Sequence, residues 1–166
     1  MWTEVNDISN HPKKSKHACC TSQLKTKAHC PRCKVEAQSV SAKTLEYLLN
    51  RETKLALDTF EGYYYCKTAS CPVIYFKDKQ QLTQKDLSVT VGLKDGAVPD
   101  TLCYCFKWTK TAIKEELKEK GESRATEDIS EKMSSLGCSC EVLNPSGRCC
   151  LKDVKEAIRS VKTQAL

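Results

Sequence analysis

Hydrophobic positions fall into two textures along the chain. From residue 110 onward they recur at helical spacing: Ile113 and Leu117, then Ile129, Met133 and Leu136, then Leu151, Val154, Ile158 and Val161. Steps of three and four put each set on one face, so three amphipathic helices are predicted, with the stripes as core. Thr109 caps the first, "KTAIKEELKEKG". Thr126, followed by Glu127 and Asp128, caps the second, which Gly137 ends, and "LKDVKEAIRSVK" forms the third. Upstream the pattern is that of strands. Tyr63–Tyr65 and Val73–Phe76 are aromatic and β-branched runs that read as a hairpin. "LSVTVGL" alternates Leu87, Val89, Val91 and Leu93 against Ser88, Thr90 and Gly92, the pattern of a half-buried strand. One short helix, "AKTLEYLL", starts after Ser41 and gathers Ala42, Leu45, Leu48 and Leu49 on a face. "KDGAVPDT" (94–101) is a turn-rich linker, and residues 1–28 are polar and without period. The reading is an α+β chain: a disordered basic leader (1–28), a β-rich module (29–97) and a helical module (98–166).

Composition changes that picture at one residue type. Twelve of the 166 residues are cysteine, far above ordinary usage. The first twenty residues, "MWTEVNDISNHPKKSKHACC", contain no apolar h-region, and no run approaches the roughly 20 apolar residues of a membrane helix. The expectation is therefore a cytoplasmic protein, with no membrane partner, whose thiols hold metal rather than form disulfides. Net charge is +6, and much of the excess sits in Lys13, Lys14, Lys16, Lys25 and Lys27. These read as a solvated leader, with lysines elsewhere offsetting negative metal–thiolate centres, and nucleic acid is not the expected partner.

The cysteines group by spacing. In "HCPRCK", Cys30 and Cys33 form a two-thiolate knuckle that lets both sulfurs reach one tetrahedral ion. Cys66 and Cys71 form a second pair at the mouth of the aromatic hairpin. Two such pairs meeting across a fold make a closed zinc site of four thiolates, with His29 read as a bystander. The module around them has little core of its own, so metal binding would contribute directly to its folding. In the leader, His17, Cys19 and Cys20 ("HACC") could take a soft metal such as copper(I), but read more simply as unligated tail residues.

Six cysteines remain, all expected at helix ends or loops: Cys103 and Cys105, Cys138 and Cys140, Cys149 and Cys150. A helix N-terminus favours a thiolate, or a negatively charged thiolate-ligated cluster. Asn144-Pro145-Ser146-Gly147 reads as a tight turn that exposes backbone N–H groups and aims the last cysteine. Spacing leans toward an iron–sulfur cluster and leaves a second zinc open, because one pair is C-x-C while nine residues separate Cys140 from Cys150. The chain has no nucleophile–base pair, phosphate loop or histidine acid/base of a hydrolytic or group-transfer enzyme; one-electron chemistry is the catalytic class left open.

"CPRC", "YYYCKTASCPVIYF", "VTVGLK", "CYCFKWT" and "NPSGRCCLKDV", in this order, resemble the N-terminal domain of the CopZ-type copper chaperone family, iron–sulfur-binding metallochaperones with one zinc and one [2Fe-2S] cluster. The hairpin also resembles short treble-clef modules of the TRASH type, and the second module the ferredoxin domain associated with bacterioferritin. The resemblance implies zinc ligands Cys30, Cys33, Cys66 and Cys71. It implies cluster ligands Cys103, Cys105, Cys140 and Cys150, since that family places one ligand just before the "NPSGRCC" run and one at its end. Cys138 and Cys149 stand as alternatives beside Cys140 and Cys150. The family's copper-carrying domain, with its own CxxC, is expected to be absent, as the sequence stops at Leu166. The implied role is in copper or heavy-metal homeostasis: electron transfer that reduces Cu(II) to Cu(I), with copper or a copper-handling protein or transporter as partner. The second expectation, from another class, is a metal or redox sensor or adaptor whose cluster switches partner binding.

Overall fold

The computed structural model describes residues 27–164. Its first half is an antiparallel five-stranded sheet in sequence order, β1 (Lys27–His29), β2 (Glu36–Ser39), β3 (Tyr64–Tyr65), β4 (Val73–Lys77) and β5 (Gln80–Thr83). The predicted hairpin is β3–β4, in which Tyr64 faces Phe76 and Tyr65 faces Tyr75. β1, which starts inside the stretch expected as leader, pairs with β2 around the CxxC turn. Strands this short carry weak sequence signals, and only their neighbours hold them in the sheet.

Helices α1 (Ala42–Leu48) and α2 (Arg51–Ala56) fill the connection from β2 to β3. Ser41 caps α1 as expected, its hydroxyl accepting from the Thr44 amide at 3.2 Å. Leu45, Leu48 and Leu49 are buried, and Thr44 is buried with them. α2 has no apolar stripe in its sequence and is begun by Asn50, whose side-chain oxygen accepts from the Thr53 amide at 2.8 Å.

The strand expected over 87–93 does not form. Leu87 and Val91 are buried as the alternation requires, but the segment crosses the sheet as irregular chain with one isolated bridge, Leu49 to Leu87. Side chains replace ladder partners for several of its backbone groups. The Gln84 amide group donates to the Val89 carbonyl and accepts from the Val91 amide; the Tyr104 hydroxyl accepts from the Gly92 amide and donates to the Thr90 carbonyl. Gly92 permits the crossing, since a Cβ there would lie 2.1 Å from the Thr101 carbonyl oxygen.

The second half is helical around a small hairpin, β6 (Thr101–Cys103) and β7 (Trp108–Thr109), followed by α3 (Lys110–Lys120), α4 (Ala125–Leu136), the single turn α5 (Cys140–Leu143) and α6 (Leu151–Gln164). Thr109 caps α3, accepting from the Ala112 amide at 3.0 Å. α4 ends at Gly137 as expected, the Gly137 amide donating to the Met133 carbonyl at 3.0 Å, but it departs from expectation at its start and in its last turn. It begins at Ala125, so Thr126 lies within its first turn rather than at the cap, and Ser123 accepts from the Ala125 amide at 3.3 Å. Ile129 is buried and Met133 half-buried, but Leu136 is 77 % exposed, because the helix has outrun the core it packs against. That core joins Leu102, Cys103, Ile113, Leu117, Ala125, Ile129, Cys150 and Val154. The strands of the first half and the helices of the second are in contact: α1 lies against α5, and the 144–147 turn packs against β4.

Candidate metal centres

The first cysteine pair sits in the β1–β2 turn. The Cys30 amide donates to the Val35 carbonyl and the Lys34 amide to the Cys30 carbonyl, both at 2.9 Å, while Lys34 takes the left-handed conformation (φ 62°) that closes the turn. The second pair sits between β3 and β4, where the Cys66 amide donates to the Ile74 carbonyl at 2.9 Å and the Cys71 amide to the Thr68 carbonyl at 3.2 Å. The sheet brings the two turns together. Cys30 Sγ lies 3.9 Å from Cys71 Sγ, Cys33 Sγ lies 3.6 Å from Cys66 Sγ, and all four sulfurs lie within 4.8 Å of one another. A tetrahedral zinc with bonds of about 2.3 Å separates its sulfurs by about 3.8 Å, so this donor set fits that ion. His29 projects from the exposed strand β1 and is not in the group.

The electrostatics of the four thiols are uneven. Burial pushes Cys66 up to about 12 and also raises Cys71. Burial acts on Cys33 in the same sense, but its hydrogen bond with the Thr68 hydroxyl, 3.4 Å away, together with the Val35 backbone brings it down to about 6. A cation absent from the sequence reading closes the site from behind. The Lys94 ammonium donates to the carbonyls of Cys66 (2.8 Å), Thr68 (2.9 Å) and Val73 (2.7 Å), spanning the loop that carries the second pair. Burial lowers the Lys94 pKa even though all four cysteines act to raise it. Nothing in the linker sequence "KDGAVPDT" distinguishes this lysine from a solvated one.

The second cysteine group forms where β6, α5 and α6 converge. Cys103 ends β6 and Cys105 stands in the β6–β7 turn. Cys140 opens α5, and Cys150 immediately precedes α6, its carbonyl accepting from the Val154 amide at 3.0 Å. The Cys105 and Cys140 sulfurs are 3.9 Å apart, and the Ser139 amide donates to the Cys105 sulfur at 3.4 Å. Cys150 and Cys103, like Cys150 and Cys140, influence each other's titration, which marks these thiols as one electrostatic group. Cys149 touches the same group from the side: hydrogen bonds from Cys149 and then Cys150 hold Cys140 down at about 3. The bond to Cys150 also lowers Cys103, whereas burial raises Cys105 to about 11 and the bonds to Cys103 and Cys140 raise Cys150. Among the described residues, only the first group has every sulfur within 4.8 Å of every other. The second is a more open, all-thiol and largely buried set, compatible with a cluster that spreads four ligands over two irons. His17, Cys19 and Cys20 lie outside the described residues.

Comparison with known proteins agrees with this geometry. Residues 27–88 match the CopZ family model described as "Zinc binding domain". The "Copper chaperone CopZ" of Archaeoglobus fulgidus is 32 % identical over 123 residues, which cover 73 % of this chain and 57 % of that protein. The chain thus spans little more than half the length of that relative. Among solved structures, the Archaeoglobus fulgidus CopZ N-terminal domain superposes with a TM-score of 0.65 at 29 % identity, covering 78 % of this chain and 96 % of the other. The matched region, 27–88, encloses both knuckles of the four-cysteine group, and over most of its length the chain is similar in sequence and fold to the CopZ N-terminal domain.

Proposed function

We propose that the chain is a zinc and [2Fe-2S] protein of copper homeostasis that works in the cytoplasm and passes single electrons to copper or to a copper-carrying partner. Cys30, Cys33, Cys66 and Cys71 hold the zinc; Cys103, Cys105, Cys140 and Cys150 hold the cluster. In this reading the β-rich half is treble-clef-like and the helical half is related to the bacterioferritin-associated ferredoxin domain. The observation that carries it is the difference between the two thiol groups. One is closed to the spacing of a single tetrahedral ion, while the other is an extended run of sulfurs with a backbone amide aimed at one of them. The similarity to a protein named as a copper chaperone supports the choice of metal.

A [2Fe-2S] centre supplies one electron at a time, the number that Cu(II) needs to become Cu(I). Copper is the cargo here, not a resident ion. Among the described residues no helix is long and apolar enough to cross a membrane. Anaerobically purified protein should contain one zinc, two irons and two labile sulfides per chain. The cluster is then reduced, and stoichiometric Cu(II) is added with a Cu(I)-specific chelator. Cluster reoxidation matching Cu(I) formation one for one supports the reductase reading. A cluster that falls apart as copper enters, with a change in partner binding, would replace it with the sensor reading.

A further inference from the structure

We propose that the zinc-binding half of the chain, its sheet together with α1, is the support that sets Cys140 and Cys150 in place, with Tyr75 on β4 and Thr44 on α1 as the positioning residues. This rests on the two-centre reading above. The loop joining those cysteines, 141–148, takes its long-range polar contacts from the other half of the chain. The Tyr75 hydroxyl donates to the Pro145 carbonyl at 2.6 Å in a buried setting. The Thr44 hydroxyl donates to the Glu141 carbonyl at 2.6 Å, and Arg148 donates to the Ser39 carbonyl at 3.2 Å. Lys43 pairs with the Glu141 carboxylate at 3.2 Å. These contacts bracket the loop: Glu141 follows Cys140 directly, and Arg148 precedes Cys150 by two residues.

The supporting side is tied to the zinc site with equal directness. Tyr75 pairs across the sheet with Tyr65, the residue before Cys66, and lies four residues after Cys71. Tyr75 and Thr44 are fully buried, so neither bond has water to replace it. The loop's own bonding is local: Asn144 accepts from the Ser146 amide and hydroxyl and donates to the Arg148 carbonyl, which shapes the turn but does not locate it relative to Cys103 and Cys105. Location comes from the sheet and from α1. Metal in the first group fixes the β3–β4 connection, β4 fixes Pro145, and the loop presents two thiols to the second group.

The test compares wild type with Tyr75→Phe and Thr44→Val, which keep every cysteine and nearly all packing volume. Iron-free, zinc-loaded full-length protein is alkylated, and each cysteine is followed by mass spectrometry. Both variants should retain one zinc while Cys140 and Cys150 react about tenfold faster, the scale of one buried bond lost. Stripping the zinc from wild type should expose the same two thiols. In iron-loaded samples, chelator removal of iron should accelerate by a similar factor. Alkylation within twofold of wild type in both variants would overturn the proposal. If Tyr75→Phe loses zinc, Thr44→Val, which lies outside the sheet, decides alone. If wild type never takes up iron, the cluster reading fails, and alkylation still decides whether the zinc-binding half positions these two thiols.

Discussion

Lys94→Met isolates the cation behind the four-thiol site while keeping the length of the stem. In the structure the ammonium donates to the Cys66, Thr68 and Val73 carbonyls, all at 2.7 to 2.9 Å, so one charge spans both ends of the loop that presents Cys66 and Cys71. Each such charge-assisted bond is worth about 1.5–3 kcal/mol. The loop borders solvent, so water recovers part of the loss, and the Asp95 amide still donates to the Ala69 carbonyl at 3.0 Å. What is not recovered is loop geometry and the offset of negative charge on a zinc tetrathiolate. Supporting residues of this kind typically change metal affinity 10–100-fold, or about 1.4–2.7 kcal/mol, and that weakening is the expected outcome. Competition against a chromophoric chelator measures it, and the cobalt-substituted protein should show a distorted tetrahedral spectrum. Lys94→Arg keeps the charge but cannot aim a planar fork at three convergent carbonyls, so its affinity should fall between the two. Lys94→Met with affinity within twofold of wild type, or a general loss of stability with unchanged affinity and spectrum, would refute the reasoning.

Three further outcomes are expected. Gly147→Ala places a methyl 2.7 Å from Thr44 Oγ1 in a left-handed backbone (φ 65°), whereas Gly121→Ala meets nothing within 4 Å at φ 73°. Urea unfolding should show about 1 kcal/mol lost at 121 and clearly more at 147; equal losses would mean that the turn is not pressed on α1. Asp128 is held below its ordinary carboxylate range by Lys132 and then by the Trp108 indole, which donates to it at 2.8 Å. A depressed carboxylate contributes stability above its unfolded pKa and loses it as pH falls through the folded value. With Trp2 replaced by Phe, Trp108 fluorescence should therefore hold at pH 5 and shift only below about pH 4; a transition near neutrality would exclude this cause. Cys140→Ala or Cys150→Ala should abolish the visible chromophore of iron-loaded protein while Cys138→Ala and Cys149→Ala keep most of it, as absorbance and labile sulfide will show.

The parts of the fold legible from sequence are those in which one local rule decides. α1, α3 and α6 have a period, and the first two have a capping hydroxyl; the β3–β4 hairpin has aromatic strands on both sides of a cysteine turn. Alternation failed at 87–93 because it records which residues are buried, not what the backbone bonds to. Leu87 and Val91 are inside, but Gln84 and Tyr104 serve several of the amides and carbonyls that a neighbouring strand would have served. α2 was invisible for the opposite reason, being a short polar helix that Asn50 starts and tertiary packing keeps. Leu136 shows the limit of periodicity: spacing puts it in the stripe of α4, but the core ends a turn earlier.

The same distinction separates the two thiol groups. Each pair of the first is a short knuckle whose geometry its own turn largely determines, so spacing alone suggested the set that the sheet brings together. The second draws on β6, the turn after it, α5 and the residue before α6, and no local rule relates those four places. What relates them is the contact of the 141–148 loop with β4 and α1, made through a tyrosine hydroxyl and a threonine hydroxyl that look in sequence like ordinary strand and helix residues. Lys94 is the parallel case for the first group, a linker lysine whose value comes from three carbonyls in a distant loop. Cysteine spacing identifies donors. The groups that hold donors at bonding distance are polar side chains satisfied across the fold, and buried hydrogen bonds that reach from one half of the chain to the other are where they are found.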